Sequence, residues 1–207
     1  MSKVAYLPVG KREQTKVQNR QAILDAAREV FGELGYDTAT VRDIIRRTGL
    51  AAGTFYNYYR SKEEVFAALA DDGARRFAPV LKKLRAEAPG MEGFIRAALD
   101  AYFRFLADEH TSWLAQRPPG EPHPHIHGET PEMAAVFAEV RDAMQEAIAR
   151  HDGPEADPDY MAAACIAVAR EVGDKMLARR PVDVAGAVEF AAAMILGGLR
   201  ALPKAKA

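Results

Sequence analysis

Apolar residues recur every three or four positions through almost the whole chain, and this period is the strongest constraint on its fold. The steps Met133, Val136, Val140 and Met144 are typical, because positions three and four apart fall on one side of an α-helix. No segment shows a convincing alternation of apolar and polar residues, as a half-buried strand would. The pattern predicts an all-α protein of about nine helices.

Start and stop residues set the bounds of the first two predicted helices. The first covers 17–34, and Gly35 supplies a left-handed stop. The second opens at Thr40, which forms a capping-box pattern with Asp43, and ends at Gly49. The residues of the first helix expected to point inward are Ile23, Ala27, Val30, Phe31 and Leu34.

The remaining helices follow from the same signals. A third short helix is predicted over 51–58, and Ser61 with Glu64 forms a second capping-box pattern that opens a long fourth helix. Pro89 and Gly90 end that helix. Further helices are predicted over 91–107, 133–153, 159–178 and 184–202, and the intervening segment 118–131 is too rich in Pro, Gly and His to be regular.

Charge is distributed unevenly, although the formal net charge is only -1. Up to Arg60 the chain has ten basic and six acidic residues, and beyond it 18 basic and 23 acidic ones. A positive N-terminal part beside a negative remainder indicates that the N-terminal part meets a polyanion. The single cysteine, Cys165, lies in an apolar stretch and is expected to be a small buried hydrophobe.

The third predicted helix has one face suited to DNA. At 100° per residue, Ala52 and Tyr59 lie near Phe55 and face the supporting helix, while Gly53 and Asn57 fall opposite. An asparagine amide can pair with adenine, and threonine or tyrosine hydroxyls suit bases or phosphates. The outward groups are Gly53, Thr54, Tyr56 and Asn57. The hydroxyl groups of Tyr56 and Tyr58 suit phosphate oxygens, and Lys62 stands in the next helix's first turn, where a phosphate can bind.

Two short helices joined by a glycine turn, after a longer supporting helix, form a helix-turn-helix pattern. From Ala22 to about Leu69 the chain closely resembles the DNA-binding domain of the TetR family of bacterial transcriptional regulators. The segments that carry the resemblance are 40–45, 48–50, 53–59 and 61–64. The match is specific as a combination, in the order of a supporting helix, a Gly-Tyr-x-x-x-Thr entry and a Gly-Thr-Phe-Tyr recognition helix.

The resemblance implies an all-helical homodimer whose two recognition helices enter successive major grooves of a palindromic operator. It places Thr40, Thr54, Tyr56, Tyr58 and Lys62 at phosphates, and Arg42, Ala52, Gly53 and Asn57 near base edges. Ala51 and Ala52 supply no side-chain donors, so part of the readout is assigned to the basic segment 11–20 or to DNA shape.

Three parts of the chain are therefore expected: a flexible basic arm over 1–16, a helix-turn-helix domain over 17–61 and a helical ligand-binding and dimerisation domain over 62–207. The last two helices are dense in alanine and glycine, which lets helices approach closely. They are predicted to form a four-helix interface between two subunits. Packing within one chain is the alternative.

Aromatic and methionine side chains between these helices and the N-terminal domain predict a pocket for an apolar or aromatic molecule. The residues expected to line it are Tyr102, Phe103, Leu106, Trp113, Phe137, Val140 and Met144. Each of them also fits a plain core position, because large apolar side chains are usually buried.

His123, His125 and His127 raise the alternative of a metal-dependent enzyme. The intervening prolines favour polyproline II, which turns alternate residues apart, so a solvated loop is the preferred interpretation. No HExxH, paired CxxC, P-loop or G-x-S-x-G motif occurs. We therefore expect no enzyme activity, no metal and no cofactor.

These observations predict a dimeric, ligand-responsive transcriptional repressor that a small hydrophobic or aromatic molecule releases from its operator. An architectural DNA-binding protein that needs no ligand is the alternative. The N-terminal residues 1–12 contain no apolar signal region, and Glu189 interrupts the longest apolar run, over 185–199. The expected location is the cytoplasm, without a membrane partner.

Overall fold

The computed structural model describes residues 10–109 and 130–202 and confirms the all-α class. Within these ranges the chain forms eight helices and no strand, against about nine helices predicted for the whole chain. Their bounds are α1 Lys11–Leu34, α2 Val41–Thr48, α3 Ala52–Tyr56, α4 Lys62–Glu87, α5 Met91–Glu109, α6 Pro131–Ala149, α7 Pro158–Leu177 and α8 Val184–Ala201.

Contacts divide the chain into two compact units, Met1–Leu69 and Ala70–Ala207. The division falls within α4, whereas the sequence placed the domain boundary between 61 and 62. Val65 and Ala68, in the first two turns of α4, are buried in the N-terminal core, which explains why the start of this helix belongs to the first unit.

The N-terminal core is built mainly on one face of α1. Ile23, Ala27, Val30 and Phe31 are buried as predicted, but Leu34 is 44% exposed because the helix ends there and the chain turns away at Gly35. Gly35 has φ of 76° and ψ of 156°, so it ends the helix in a positive-φ conformation that favours glycine but not in the predicted left-handed helical one.

Helix α1 begins at Lys11, six residues earlier than the predicted Val17, so the part 11–16 of the expected flexible arm is helical. Residues 11–18 are exposed on every side, which is why apolar periodicity gave no sign of this helix. The part of the arm over residues 1–9 lies outside the described residues.

The C-terminal unit has its own core, formed by α5, α6, α7 and α8 with the second part of α4. Phe103 on α5 and Met144 on α6 have no solvent exposure. Gly173 on α7 permits close packing against α5, because a Cβ there would lie 2.7 Å from Leu106 Cδ1. Cys165 is 8% exposed, as expected, and burial raises the pKa of its thiol to about 11.

Helix α8 is buried on one face only. Its inward residues are Ala187, Ala191, Ala192, Ile195, Leu196 and Leu199. Among the described helices, α8 alone has the length and apolar composition that a membrane span also requires, and a third of it is buried within the chain. The apolar composition of α8 reflects both this buried face and a second apolar face that is exposed.

We expect Phe103→Ala to lower the free energy of unfolding by about 3–5 kcal/mol, because the truncation leaves a cavity among packed side chains. Urea denaturation followed by circular dichroism measures this change. Val80→Ala, at a 39% exposed position of α4, is the control and should change stability by less than about 0.5 kcal/mol. Equal effects of the two substitutions would contradict the assignment of Phe103 to the core.

Candidate nucleic-acid interface

Helices α2 and α3 are joined through a tight turn at Gly49, which ends α2 as predicted and is left-handed, with φ of 67°. Only glycine adopts this conformation at little cost, so the angle between the two helices depends on it. Helix α3 has five residues and is too short to be stable alone. It is held by Phe55, which is fully buried, and by Tyr59, which is 8% exposed.

Helix α3 ends at Tyr56, two residues before the predicted bound, and its exposed side and the turn after it carry the polar side chains singled out from the sequence. Tyr56 is 54% exposed, and its ring packs edge-on against Phe55 at 5.5 Å between centroids. Gly53 and Asn57 are exposed, while Thr54 and Tyr58 are half-buried. Within the described ranges the side chains of Thr54, Tyr56, Asn57 and Tyr58 make no hydrogen bond or ion pair, so their polar groups are available to a partner.

Ala52 is exposed, although the helical wheel placed it toward the supporting helix. It is the first residue of α3, where no preceding turn covers it, and this explains the error. A Cβ built at Gly53 would meet nothing within 4 Å. Ala52 and Gly53 together form a low, open surface that another molecule can approach closely.

Thr40 acts as the N-cap of α2, in the predicted capping box with Asp43. The hydroxyl of Thr40 donates to Asp43 Oδ2 at 2.6 Å and accepts from the Asp43 backbone N–H at 3.3 Å. The hydroxyl and the backbone N–H of Thr40 both donate to the Asp43 carboxylate, and these two bonds hold the pKa of Asp43 below its ordinary value. The hydroxyl hydrogen expected at a phosphate is therefore already used within the domain.

The apolar side of α2 predicts that its three arginines face solvent or a negatively charged partner, but in the structure they differ in availability. Arg47 donates to Glu29 at 2.8 Å and to Glu33, and these bonds tie α2 to α1. The hydrogen bonds from Arg47 lower the pKa of Glu33. Arg46 Nη2 lies 3.4 Å from Asp43 Oδ1, one turn earlier on the same helix. Of these three arginines, only Arg42 is exposed and makes no side-chain hydrogen bond or ion pair to any part of the chain that the structure describes.

Lys62 is also engaged within the domain rather than free for a phosphate. Its ammonium group donates to the backbone carbonyl oxygens of Tyr36, Asp37 and Ala39 at 2.9, 3.1 and 3.3 Å. It also lies 4.6 Å from the centroid of the Tyr36 ring. Sequence reasoning missed this role because backbone carbonyl positions leave no trace in the order of side chains.

The predicted ligand-lining residues lie together, but they form a packed core. Phe103, Val140 and Met144 are buried, and Tyr102, Leu106 and Phe137 are partly buried against the same cluster. Burial raises the pKa of Tyr102 to about 12. The seventh residue, Trp113, lies outside the described residues.

A surface groove of about 550 Å³ occurs elsewhere in the C-terminal unit, between α4 and α6. Its lining residues are Arg75, Ala78, Pro79, Lys82, Pro131, Glu132, Ala135 and Glu139. None of the predicted ligand residues lines it. Sequence analysis missed the groove because these residues are small or charged and resemble an ordinary solvated helix face.

The metal hypothesis rests on His123, His125 and His127, which lie outside the described residues. In ranges 10–109 and 130–202, no group of three or more His, Cys, Asp or Glu side chains is placed to hold a metal ion.

Comparison with known proteins identifies the N-terminal unit. The family model described as bacterial regulatory proteins, tetR family, matches residues 23–69. The HTH-type transcriptional repressor Rv1474c of Mycobacterium tuberculosis is 38% identical over 98 residues, which are 47% of this chain and 46% of that protein. Similarity to the tetR family of bacterial regulatory proteins is therefore established for residues 23–69, within the N-terminal unit.

Solved structures share the fold over most of the chain. The fatty acid degradation regulator FadR from Bacillus halodurans has a TM-score of 0.65 and 22% identity, and the match covers 88% of this chain and 96% of that one. FadR from Bacillus subtilis, solved with stearoyl-CoA, has a TM-score of 0.65 and 17% identity over 86% and 98%. The chain spans about half the length of the curated relative matched by sequence, and at these identities the structures establish the fold alone.

We expect Asp43→Asn to lower the thermal midpoint at pH 7, because asparagine makes weaker hydrogen bonds to Thr40 than a carboxylate does. A lowered pKa in the folded state stabilises the fold above the unfolded value of about 3.9, and this stabilisation is lost as the pH falls through the folded value. The difference from the native sequence should therefore disappear in acid, as thermal denaturation between pH 7 and pH 2.5 will measure.

Asp37→Asn is the matched control, because the exposed Asp37 carboxylate makes no hydrogen bond or ion pair within the described residues. A constant difference between Asp43→Asn and the native protein at every pH would contradict the role of the charged cap.

Proposed function

We propose that this protein is a ligand-responsive transcriptional repressor that binds a palindromic DNA operator as a homodimer. The observation that carries the proposal is the exposed side of α3, where available polar groups surround an open glycine. The tetR-family match of the same residues and the repressor name of the relative support it. We propose that the protein acts in the cytoplasm and that it has no catalytic role and no cofactor.

The DNA contacts that we propose divide into two groups. Arg42 and Asn57 lie near base edges, since arginine pairs with guanine and asparagine with adenine in the major groove. The hydroxyl groups of Thr54, Tyr56 and Tyr58 donate hydrogen bonds to phosphates. Ala52 and Gly53 allow the backbone to approach the DNA closely, which gives a reason for a glycine inside a helix, where it costs about 1 kcal/mol relative to alanine.

The first two turns of α1 add non-specific attraction. Lys11, Arg12 and Lys16 stand on a segment that is exposed on every side, and Glu13 is the one acidic residue among 11–18. Basic side chains on such a segment neutralise phosphates and release counterions. We assign to them affinity rather than base selection.

The partner subunit binds, in this proposal, to the outer faces of α7 and α8. On α8, Phe190 and Met194 are 58% and 56% exposed, although the other face of the helix is buried. Gly197 and Gly198 lie on the exposed side with open space above them, and α7 adds exposed Tyr160. Large exposed apolar side chains beside small residues are typical of a helix-helix interface between subunits.

The effector is proposed to be a small hydrophobic or aromatic molecule that binds the C-terminal unit. The aromatic cluster around Tyr102 and Phe103 supports an apolar ligand, and FadR of the same fold was solved with stearoyl-CoA, which carries an acyl chain. Because Phe103 and Met144 are fully buried, a ligand that reaches this cluster must displace packed side chains.

Selection of bound sequences from a random DNA pool at two salt concentrations tests the function without knowledge of the effector. We expect enrichment of a palindrome whose half-sites lie one or more helical turns apart. Binding without an enriched motif would favour the architectural alternative. Absence of binding at both salt concentrations, after effector removal by denaturation and refolding, would overturn the proposal.

We expect Tyr56→Phe to weaken binding to the selected operator by roughly threefold to tenfold, the scale of one lost hydrogen bond. Fluorescence anisotropy with labelled operator measures the change. Val80→Ala, at an exposed position of α4 that lies in neither proposed interface, is the control and should leave the affinity unaltered. An operator affinity that Tyr56→Phe leaves intact would remove Tyr56 from the phosphate contacts.

We expect the double substitution Phe190→Glu with Met194→Glu to produce monomers, because charges placed on the apolar face resist burial between subunits. Operator affinity should fall by roughly a hundredfold or more once the two domains bind independently. Sedimentation velocity measures the oligomeric state. Val80→Glu, at an exposed position on α4, is the control, and a dimer that survives the double substitution would place the interface elsewhere.

A further inference from the structure

Three backbone carbonyl oxygens converge on the ammonium group of Lys62. They belong to Tyr36, Asp37 and Ala39, in the short connection between α1 and α2, and their distances to Nζ are 2.9, 3.1 and 3.3 Å. An ammonium group has three donors and no acceptor, so the number of donors equals the number of carbonyl oxygens. The connection therefore forms a cation site that the chain fills with its own lysine.

Contacts around Tyr36 fix the orientation of this site. The Tyr36 ring packs against Phe31 at 5.4 Å and against Phe66 at 4.9 Å between centroids, and its hydroxyl donates to Glu63 at 3.3 Å. Lys62 lies over the same ring at 4.6 Å, where a cation is attracted to the aromatic face. Desolvation raises the pKa of the Tyr36 phenol, in agreement with its packing.

The site lies directly before the α2 segment of the interface. Ala39 precedes Thr40, the N-cap of α2, and the available Arg42 follows two residues later. The connection has no regular hydrogen-bond ladder, and Ala39 makes one backbone bond, from its N–H to Gly35. Lys62 thus supplies three bonds that join the connection to the start of α4, beside the one from Tyr36 to Glu63.

We propose that Lys62 is a positioning residue, which fixes the start of α2 and Arg42 against α4, and is not a phosphate contact. A phosphate can accept from Lys62 only if one of the three carbonyl bonds is given up. This inference rests on the proposed DNA-binding function for its consequence, but its structural part is independent of that function.

Two substitutions separate positioning from phosphate binding. Lys62→Met removes the charge and all three donors, while Lys62→Arg keeps the charge but places planar donors where three oxygens converge on one point. A phosphate contact tolerates arginine well, since guanidinium binds phosphate. A positioning role does not tolerate arginine, so Lys62→Met and Lys62→Arg should weaken operator binding alike.

We expect both variants to bind the selected operator roughly tenfold more weakly, the scale of a lost hydrogen bond to a charged group. The slope of log affinity against log salt concentration should stay unchanged, because no phosphate contact is lost. For a phosphate contact, Lys62→Met would reduce the slope by about 0.9, and Lys62→Arg would preserve both slope and affinity. That result would overturn the proposal.

Hydrogen exchange gives a readout that does not depend on DNA. In both variants the amides of Ala39, Asp43 and Ile44 should exchange faster than in the native protein, while amides in the middle of α1 keep their protection. Uniform acceleration throughout the unit, with operator affinity preserved below the thermal midpoint, would mean a merely stabilising lysine and would overturn the proposal. If the native protein binds no sequence, the proposed function fails while this exchange pattern still decides the role of Lys62.

Lys82→Met is the matched control. Lys82 is an exposed lysine of the same helix, and it has no hydrogen bond or ion pair within the residues described. Its substitution should alter neither the affinity, the salt slope nor the exchange of 39–44. Circular dichroism at the assay temperature verifies that each variant is folded, and Lys62→Gln replaces Lys62→Met if the latter is not.

Discussion

Burial of Phe55 is the interaction on which the proposed DNA-facing surface depends. Helix α3 has only five residues, and so short a helix does not persist in water by its own hydrogen bonds. The fully buried Phe55 side chain holds it against α1 and α4 residues of the N-terminal core, and the neighbouring Tyr56 packs edge-on against that ring. Because the buried side of α3 is anchored in this way, the direction of the exposed groups on its other side is fixed.

The sequence predicted this arrangement well where short-range rules apply. The capping box of Thr40 and Asp43, the end of α2 at Gly49 and the inward Phe55 each follow from residues within a few positions of one another. Errors occurred where long-range partners decide the outcome. Arg47 joins carboxylates on α1, and Lys62 reaches back by more than twenty residues.

The C-terminal unit shows why apolar composition alone cannot distinguish a pocket from a core. Phe103 and Met144 were expected to line a chamber, yet their side chains are packed without solvent exposure. Helix α8 poses the same difficulty, because Ile195 and Met194 are neighbours of similar polarity, and one is buried while the other is exposed. The helical period indicates that α8 has two apolar faces, but the packing of the other helices decides which face is buried.

The use of cations within the N-terminal unit limits how the protein can bind DNA. Arg47 and Lys62 are committed to internal partners, and Arg46 lies close to Asp43. If these bonds persist in the complex, charge attraction must come mainly from Arg42, from the exposed start of α1 and from Arg60, which is exposed and has no side-chain partner within the described residues. The side of α3 contributes neutral hydroxyl and amide groups. Hydrogen bonds from neutral groups depend on position more strongly than charge attraction does. The fixed geometry of the connection between α1 and α2 therefore matters more for this domain than its modest positive charge.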